Sequence, residues 1–428
     1  MSDAAVATTI FAVFMVATVV LGLLAVRGRA GSGGGLTEWS VGGRSLGTVF
    51  IWVLMAGEGY TSFSYLGAAG WGYNYGAPVL YVVAYLSCGY AVGYVVGPML
   101  WAHARRHGLV GITDMVAHRY GRPWAGALVA LLATVFLLPY IQLQITGMGV
   151  VVSTISYGAL SLNWGYFIAF AVTTGFVVVS GLRGSAWVSV LKDVLVIATL
   201  AFLAIYVPQH YFGGYGDFLD RVVGEKRDWV TLPGHGGAFG QAWFATTTVL
   251  NSLTIVIFPT TVAGYLGALS SIVPMAVFML VIGTMWGRSV LSLVPRLRER
   301  QKAASQVVVV VAGALALLMT YTVPNTLVRL SLISYEGMAQ LLPMLLLGLV
   351  WRRVTLTGGL AGLAVGVAMV CWFVFSDRDP VWGVNAGVIA LGVNLLVAVA
   401  VSYAGPKGVV VADDMLARDP IYEERVRG

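Results

Sequence analysis

The 428-residue chain is 58% hydrophobic and only 10% charged, which excludes an ordinary water-soluble domain and indicates a polytopic membrane protein. Its formal net charge is +7. The Lys and Arg residues lie between apolar segments rather than on one basic face, as the positive-inside rule expects, and this distribution excludes nucleic acid as a partner. Cys88 and Cys371 both lie inside apolar segments, so we expect neither a disulfide framework nor a cysteine metal site.

About twelve apolar runs are long enough to cross a bilayer as helices of about 20 residues. Alternating barrel strands are absent from the pattern, so the sequence predicts an all-α, polytopic membrane helical bundle. The first run lacks a basic flank and a cleavage site, and we interpret it as a retained span. The runs cover residues 6–26, 47–72, 77–102, 124–157, 164–180, 186–207, 242–266, 271–291, 303–323, 331–350, 358–375 and 384–403.

Loop charges predict the orientation of the chain. The first five residues carry no Lys or Arg, while the next cytoplasmic-type loops are rich in Arg, so the N-terminus is predicted outside. Counting one membrane crossing per apolar run fails after residues 242–266, because it places the basic loop near Arg296 outside the membrane, against the positive-inside rule. A further crossing between Leu266 and Ser271 would return that loop and the C-terminus to the cytoplasm. Either a span is missing there, which the length of 242–266 favours, or residues 242–266 enter and leave on one side.

The second run, residues 47–72, carries a carboxylate near its centre. Glu58 lies between Gly57 and Gly59. An ionisable group at membrane depth indicates a functional site by default, and the glycines favour an unwound turn whose backbone groups can bind a solute or an ion. The alternative is a structural acid that accepts backbone amide hydrogen bonds at the break.

Other candidate site residues follow the same break or lie in two further spans. Side chains after the break either contact a substrate or only cap the second half-helix, whose positive end suits a carboxylate. Gln142 and Gln144 cannot share a helix face, so one is expected to line a cavity and the other to bond a neighbouring helix. The expected substrate-binding residues are Glu58, Tyr60, Thr61, Ser62, Phe63, Tyr140, Gln142, Gln144, Pro259 and Thr260, and those expected in ion coupling are Ala56, Glu58 and Thr284.

Four stretches together resemble the sodium:solute symporters, a family with the leucine-transporter-like fold of inverted five-helix repeats. They are VGGRSLG at 41–47, FSYLGAAGWGYNYG at 63–76, GLVGITDMVAHRYG at 108–121 and GLRGSAWVSVLKD at 181–193. Within the family, three further stretches look most like the branch that carries monocarboxylates: AGEGYTSFSYLG at 56–67, PYIQLQITGMG at 139–149 and FPTTVAGYLGA at 258–268.

The resemblance implies a leading span and cytoplasmic loop over 1–46, a first repeat over 47–211 and an external loop over 212–241. It further implies a second repeat over 242–353, two trailing helices over 354–403 and a cytoplasmic tail over 404–428. Each repeat would begin with a broken helix, and the second would lack one helix at the point where the charge count failed. The break in the second repeat is expected at Phe258 and Pro259.

The resemblance also implies a sodium site, whose matching positions here are Met279, Leu280 and Gly283. Sodium prefers oxygen ligands, which thioether and alkyl side chains do not offer. Thr284 could substitute if the register shifts by one residue. Otherwise Glu58 becomes a candidate proton carrier, since burial raises a carboxylate pKa. The coupling cation is therefore Na⁺ or H⁺, and no other metal or cofactor is expected.

We expect a secondary transporter of the cell membrane that imports a small organic solute, of monocarboxylate class, by alternating access. The alternative is a non-transporting membrane module or a truncated, inactive symporter homologue. An enzyme is not expected, because the chain has no phosphate-binding loop and His103, His107 and His118 lie in or beside one cytoplasmic loop. The expected partners are the solute, the cation and the bilayer, and the sequence does not decide the oligomeric state.

Overall fold

The computed structural model describes residues 3–27, 59, 61–237, 239–266, 274–351 and 353–405. These residues are helical almost throughout, and the isolated β-bridge between Val381 and Val384 is their only strand-like pairing. Within the same ranges, eight helical segments are long and apolar enough to cross a membrane. The prediction of an all-α, polytopic helical bundle is confirmed.

Fourteen α-helices of eight or more residues lie in the described ranges. They are α1 Asp3–Arg27, α2 Ala68–Tyr75, α3 Tyr81–His107, α4 Ile112–Tyr120, α5 Pro123–Ile155, α6 Leu162–Phe212, α7 Tyr215–Glu225, α8 Gln241–Ile257, α9 Pro259–Leu266, α10 Pro274–Met285, α11 Gln301–Thr322, α12 Leu327–Ala339, α13 Leu356–Phe375 and α14 Ala386–Ala404. π-Helical turns cover Phe63–Gly67, Trp286–Val290 and Pro343–Leu347.

Helix α5 lies at the centre of the bundle. It begins at Pro123, whose fixed φ and missing N–H suit the first helical position. Apolar residues surround it on all sides, the pattern of a buried helix. It packs against α4, α6, α10, α11 and α12, so residues from both halves of the sequence meet along it.

Helix α6 contains two predicted spans and continues between them without a break. The predicted runs at 164–180 and 186–207 match two segments that are long and apolar enough to cross a membrane, Leu162–Val179 and Val190–Phe212. One helix of 51 residues covers both. At 1.5 Å per residue such a helix is about 75 Å long, more than twice the hydrocarbon thickness of about 30 Å. The reason lies in the junction, because GLRGSAW contains no proline, and each glycine costs only about 1 kcal/mol inside a helix.

The predicted break at Phe258 is present, and at the first predicted break the structure describes Gly59, a bend at Thr61 and the residues that follow. After the bend at Thr61 the chain forms a π-helical turn from Phe63 and continues into α2. In the seventh run, α8 ends at Ile257. The next residue, Phe258, has a ψ of 132°, outside the helical region, and α9 begins at Pro259. The predicted missing span falls at residues 267–273, outside the described residues.

Candidate solute site

The two helix breaks meet at one small cavity, which holds about one water molecule. Its walls come from the first break, from α3, α5 and α8, and from α10 and α12. The lining residues are Gly59, Phe63, Ser64, Tyr85, Leu86, Tyr90, Tyr140, Ile255, Phe258, Phe278 and Tyr335. None of them carries a formal charge at pH 7, so the cavity suits a solute with an apolar body.

Aromatic side chains form most of the cavity wall. The ring of Phe258 stacks on that of Tyr335 with centroids 4.9 Å apart, and the ring of Tyr140 lies 4.5 Å from that of Phe278. Tyr85 meets Tyr335 edge to face at 5.5 Å. Rings at these distances attract each other beyond their buried area. The contacts therefore hold four helices together around the break at Phe258.

The first break is held by side chains that satisfy its backbone donors. The amide N–H of Ser62 donates to Oε1 of Gln144 over 3.3 Å, and that of Phe63 donates to Oγ1 of Thr61 over 3.2 Å. The Thr61 carbonyl accepts from the amides of Ser64 and Tyr65. Orphan donors at the start of a helical turn are satisfied by such caps.

One of the two glutamines was expected to line the cavity and the other to bond a neighbouring helix. The Gln142 amide group donates to the carbonyls of Met319 and Val323 at the end of α11, over 3.2 and 2.8 Å. Gln144 instead supports the first break through Ser62. Gln142 thus bonds a neighbouring helix, and neither glutamine belongs to the cavity lining.

The remaining expected site residues are placed as follows. Phe63 and Tyr140 line the cavity, while the buried Pro259 and Thr260 begin α9 directly after Phe258. The Thr284 hydroxyl, on α10, donates to the Leu280 carbonyl over 2.8 Å. Ala56, Glu58 and Tyr60 lie outside the described residues.

Sequence reasoning missed four aromatic wall residues, Tyr85, Tyr90, Phe278 and Tyr335. An aromatic residue in an apolar span gives no signal that separates a cavity wall from a lipid-facing position. It also missed Glu336, whose side chain is 1% exposed. The rule that singled out Glu58, a lone carboxylate inside an apolar run, applies equally to Glu336 in the run 331–350.

Glu336 belongs to a buried polar network that joins α12 to the trailing helices. Its Oε1 accepts from Nδ2 of Asn385 over 3.0 Å, and its carboxyl group hydrogen-bonds that of Asp379. Asp379 in turn accepts from the Ala386 amide and pairs with Arg329 at 3.5 Å. Burial raises the pKa of Asp379, which lies in the loop before α14. The network joins α12 to the loop before α14 and anchors the start of α14.

A second aromatic cluster covers the end of α2. The ring of Trp71 lies 4.6 Å from that of Phe239 and 5.6 Å from that of Trp243. The loop before α8 also bonds the backbone here, because the Trp229 indole N–H donates to the Tyr73 carbonyl over 2.9 Å. Trp71 therefore packs under the long loop instead of facing lipid.

Comparisons with known proteins place the chain among membrane transporters. The profile of the sodium:solute symporter family matches residues 39–273. Among curated proteins, the uncharacterized symporter YhjB of Bacillus subtilis is 30% identical over 474 aligned positions, which cover 92% of this chain and 96% of that protein. The uncharacterized symporter YodF of the same species is 24% identical, with 92% of each chain covered.

Two further comparisons are a sequence match to about half of the chain and a structural superposition of nearly all of it. A monocarboxylate transport permease protein of Rhizobium johnstonii is 30% identical over 213 residues, which are 49% of this chain and 42% of that protein. A solved structure of a Na⁺-coupled sialic acid symporter, in a substrate-bound outward-open state, superposes with a TM-score of 0.68. That match covers 95% of this chain and 99% of the other at 11% identity, and it shows a shared fold.

Proposed function

The chain belongs to the sodium:solute symporter family, and from this premise we propose that it imports a small monocarboxylate with a cation by alternating access. Membership makes it a multi-pass membrane protein and a cation-coupled solute transporter rather than an enzyme, which confirms the resemblance noted in the sequence. The carboxylate class of the solute, the identity of the cation and the orientation in the membrane belong to the proposal.

The observation that supports a solute site is the meeting of two broken helices at one cavity. Phe63 begins the helical turn after the first break, and Phe258 precedes α9 at the second; both line the same space. Two half-helices that begin beside one cavity direct the positive ends of their dipoles towards it. This arrangement favours an anion without requiring a Lys or Arg side chain.

The size of the cavity indicates a closed arrangement of the site. A space for about one water molecule cannot hold even a two-carbon acid, so aromatic rings must move apart for a solute to bind. A small acid with an apolar body would replace ring–ring contacts by ring–methyl contacts. The partial match to a monocarboxylate permease supports the same class of solute.

The coupling cation is proposed to be Na⁺, with H⁺ as the alternative. The family and the Na⁺-coupled structural relative support Na⁺. Thr284 offers an oxygen on α10 even while its proton bonds the Leu280 carbonyl, because a hydroxyl keeps acceptor lone pairs. Proton coupling would use Glu58, as the depth of this acid in its span suggests.

Uptake into proteoliposomes tests the proposal. Labelled acetate and pyruvate are offered to the purified chain under an imposed Na⁺ gradient and, separately, an imposed H⁺ gradient. We expect Na⁺-driven uptake that excess unlabelled pyruvate suppresses. Uptake that is driven only by the H⁺ gradient and abolished in Glu58→Gln would identify H⁺ as the coupling cation. Uptake of neither acid under either gradient would contradict the monocarboxylate assignment.

Two tyrosines of α3 give a matched pair for the same assay. Tyr85 lines the cavity and is 3% exposed, whereas Tyr94 is 86% exposed on the outer surface of the same helix. Tyr85→Ala is expected to lower uptake by about tenfold or more, the loss of about 1.4 kcal/mol of solute or transition-state binding. Tyr94→Ala should leave uptake unchanged, and equal effects of the two substitutions would argue against the cavity as the solute site.

One observation favours the alternative of an inactive homologue. The alignment with YhjB runs over 474 positions and includes 92% of the 428 residues here, or about 394, so about 80 positions stand opposite gaps in this chain. That deficit is more than the length of one span. A chain that is folded but transports no member of a broad panel of labelled small solutes under either gradient would support this alternative.

The repeat boundaries and topology complete the proposal. Residues 47–211 and 242–353 are proposed as the two inverted repeats, the second incomplete, with the N-terminus outside the plasma membrane. The C-terminus is cytoplasmic if a further span between Leu266 and Ser271 is restored. Labelling of single cysteines introduced at the two ends of the chain, from each side of the membrane, tests this orientation.

A further inference from the structure

Three histidines lie close together at the end of α3 and on α4, and none of them lines the solute cavity. One ring nitrogen from each of His103, His107 and His118 lies within 4.8 Å of those of the other two. The ring centroids are 4.6 Å apart for His103 and His107, 5.4 Å for His103 and His118, and 4.2 Å for His107 and His118. From this cluster we propose a Zn²⁺-binding site that joins α3 to α4.

The backbone places these side chains in a ligand arrangement. His103 and His107 are four residues apart on α3, so they lie on one helix face. His118 comes from α4, which turns back after the loop at Gly108 and Gly111. Two imidazoles at this spacing with a third from another element form a common three-histidine set for zinc, which keeps a fourth position for water or a solute.

The nitrogen atoms themselves point to a ligand. His103 is 5% exposed, and within the described part of the chain its Nε2 atom has no hydrogen-bond partner. The same holds for Nδ1 of His118. A buried polar atom that lacks a partner costs about 1–3 kcal/mol, and coordination of a metal by both lone pairs would remove that cost.

The third ligand is oriented by a second hydrogen bond. Nδ1 of His107 lies 3.0 Å from the His103 carbonyl oxygen, so Nδ1 carries the proton and Nε2 keeps its lone pair. Metal-binding imidazoles are usually oriented in this way by a carbonyl on their other nitrogen.

The identity of the metal follows from the ligand atoms. Three imidazoles without a carboxylate or thiolate exclude the hard cations Mg²⁺ and Ca²⁺ and suit Zn²⁺. Around a tetrahedral zinc with bonds of 2.0–2.1 Å the nitrogens lie about 3.3 Å apart, so small ring rotations from the present spacing would close the site. The neighbouring Arg105 and Arg106 side chains are exposed, where water and salt screen their charge.

Such a site would act on the cytoplasmic part of the transporter. Helix α4 also contacts the turn Pro343–Leu347 in the second half of the chain, where the Tyr120 hydroxyl donates to the Met344 carbonyl over 2.8 Å. A metal that fixes α3 to α4 would therefore restrain relative movement of the two halves. The proposal stands independently of the solute that the cavity accepts.

The test measures Zn²⁺ binding to the purified full-length chain, free of affinity tags, in lipid nanodiscs after treatment with a chelator. We expect one Zn²⁺ per chain with a dissociation constant in the micromolar range or below. His107→Gln and His118→Gln should each weaken binding by at least about tenfold, since each removes one ligand. Both positions are more exposed than His103, so these variants are the least disruptive to folding.

Two controls separate this site from adventitious binding. His210→Gln and His235→Gln change histidines outside the cluster and should bind Zn²⁺ as the unchanged chain does. Co²⁺, used as a coloured substitute, should give visible absorption bands that disappear in His118→Gln. Absence of stoichiometric binding in folded protein, or equal binding by His107→Gln, His118→Gln and the unchanged chain, would overturn the proposal.

Discussion

Tyr120 shows how one hydroxyl group links distant parts of the chain. It is 8% exposed, and its hydroxyl donates to the Met344 carbonyl, 224 residues away in the sequence, over 2.8 Å. The adjacent Arg119 donates through Nε to the Gly348 carbonyl. These two bonds attach α4 to the π-helical turn Pro343–Leu347, where the irregular backbone needs donors from outside.

Removal of this hydroxyl should change the stability at alkaline pH. Burial raises the pKa of Tyr120 from 10.0 to about 12. Between these values the unfolded chain has released the proton and the folded chain has kept it, so the free energy of unfolding falls as pH rises from about 10 to about 12. The full loss is on the order of 2–3 kcal/mol.

The measurement compares thermal unfolding of the unchanged chain and Tyr120→Phe between pH 8 and pH 11.5. The variant should be less stable at pH 8 by about 1 kcal/mol, because the Met344 carbonyl loses its partner, and it should show a weaker decline above pH 10. Parallel pH profiles for the two proteins would contradict the assignment of the titration to Tyr120.

At the scale of elements, α13 and α14 pack through glycines. A Cβ atom at Gly362 would lie 2.5 Å from the backbone oxygen of Asn394, and one at Gly358 would lie 2.7 Å from that of Ala398. Glycine therefore permits the close approach of the two backbones, the small-residue packing used by membrane helices. Gly358 and Gly362 are four residues apart, so they lie on one face of α13, and that face packs on α14.

Gly362→Ala should force the two helices apart and lower the free energy of unfolding by about 1–3 kcal/mol. Gly392→Ala on α14 is the matched control, because no atom lies within 4 Å of its added Cβ. Since alanine favours a helix over glycine by up to about 1 kcal/mol, the control should be neutral or stabilising. Thermal unfolding in one detergent, followed by tryptophan fluorescence, compares the two. Equal destabilisation by both would refute the close-contact argument.

At the scale of the molecule, an ion pair joins the two halves of the chain. Arg288, in the π-helical turn after α10, lies 2.7 Å through Nε from Oδ2 of Asp114 in the first turn of α4. The same carboxylate oxygen accepts the Val110 amide over 2.9 Å. The Asp114 side chain is only 12% exposed, so this pair is less screened by water than a surface pair.

Arg288→Met should loosen α4 from the second half of the molecule. A charge-assisted hydrogen bond contributes about 1.5–3 kcal/mol, so amides of residues 112–120 should exchange hydrogen about tenfold faster or more. Arg221→Met is the control, since Arg221 and its partner Glu225 are both 61% exposed. Hydrogen exchange read by mass spectrometry decides the matter, and unchanged exchange over α4 would show that the pair contributes little.

Several features of the fold could be predicted because they depend on local sequence. Apolar runs of spanning length specify helices, since a bilayer leaves no other partner for backbone groups. The break at Phe258 follows from Pro259, which disfavours helical ψ in the preceding residue. The family was likewise readable from short stretches such as 63–76 and 108–121. The two spans of α6 were also predicted, but their hydropathy does not show that the helix continues through the glycine-containing junction between them.

The sequence by itself therefore determined the helical membrane class, most spans, the break at Phe258 and the family. Only the tertiary structure decided which polar and aromatic side chains meet. Gln142 bonds α11 across 177 residues, Gln144 supports the first break across 82, and His118 reaches the two histidines of α3. Hydropathy and helical periodicity report the environment of one segment. The partner of a side chain depends on how helices pack, a property that emerges only when the whole bundle is assembled.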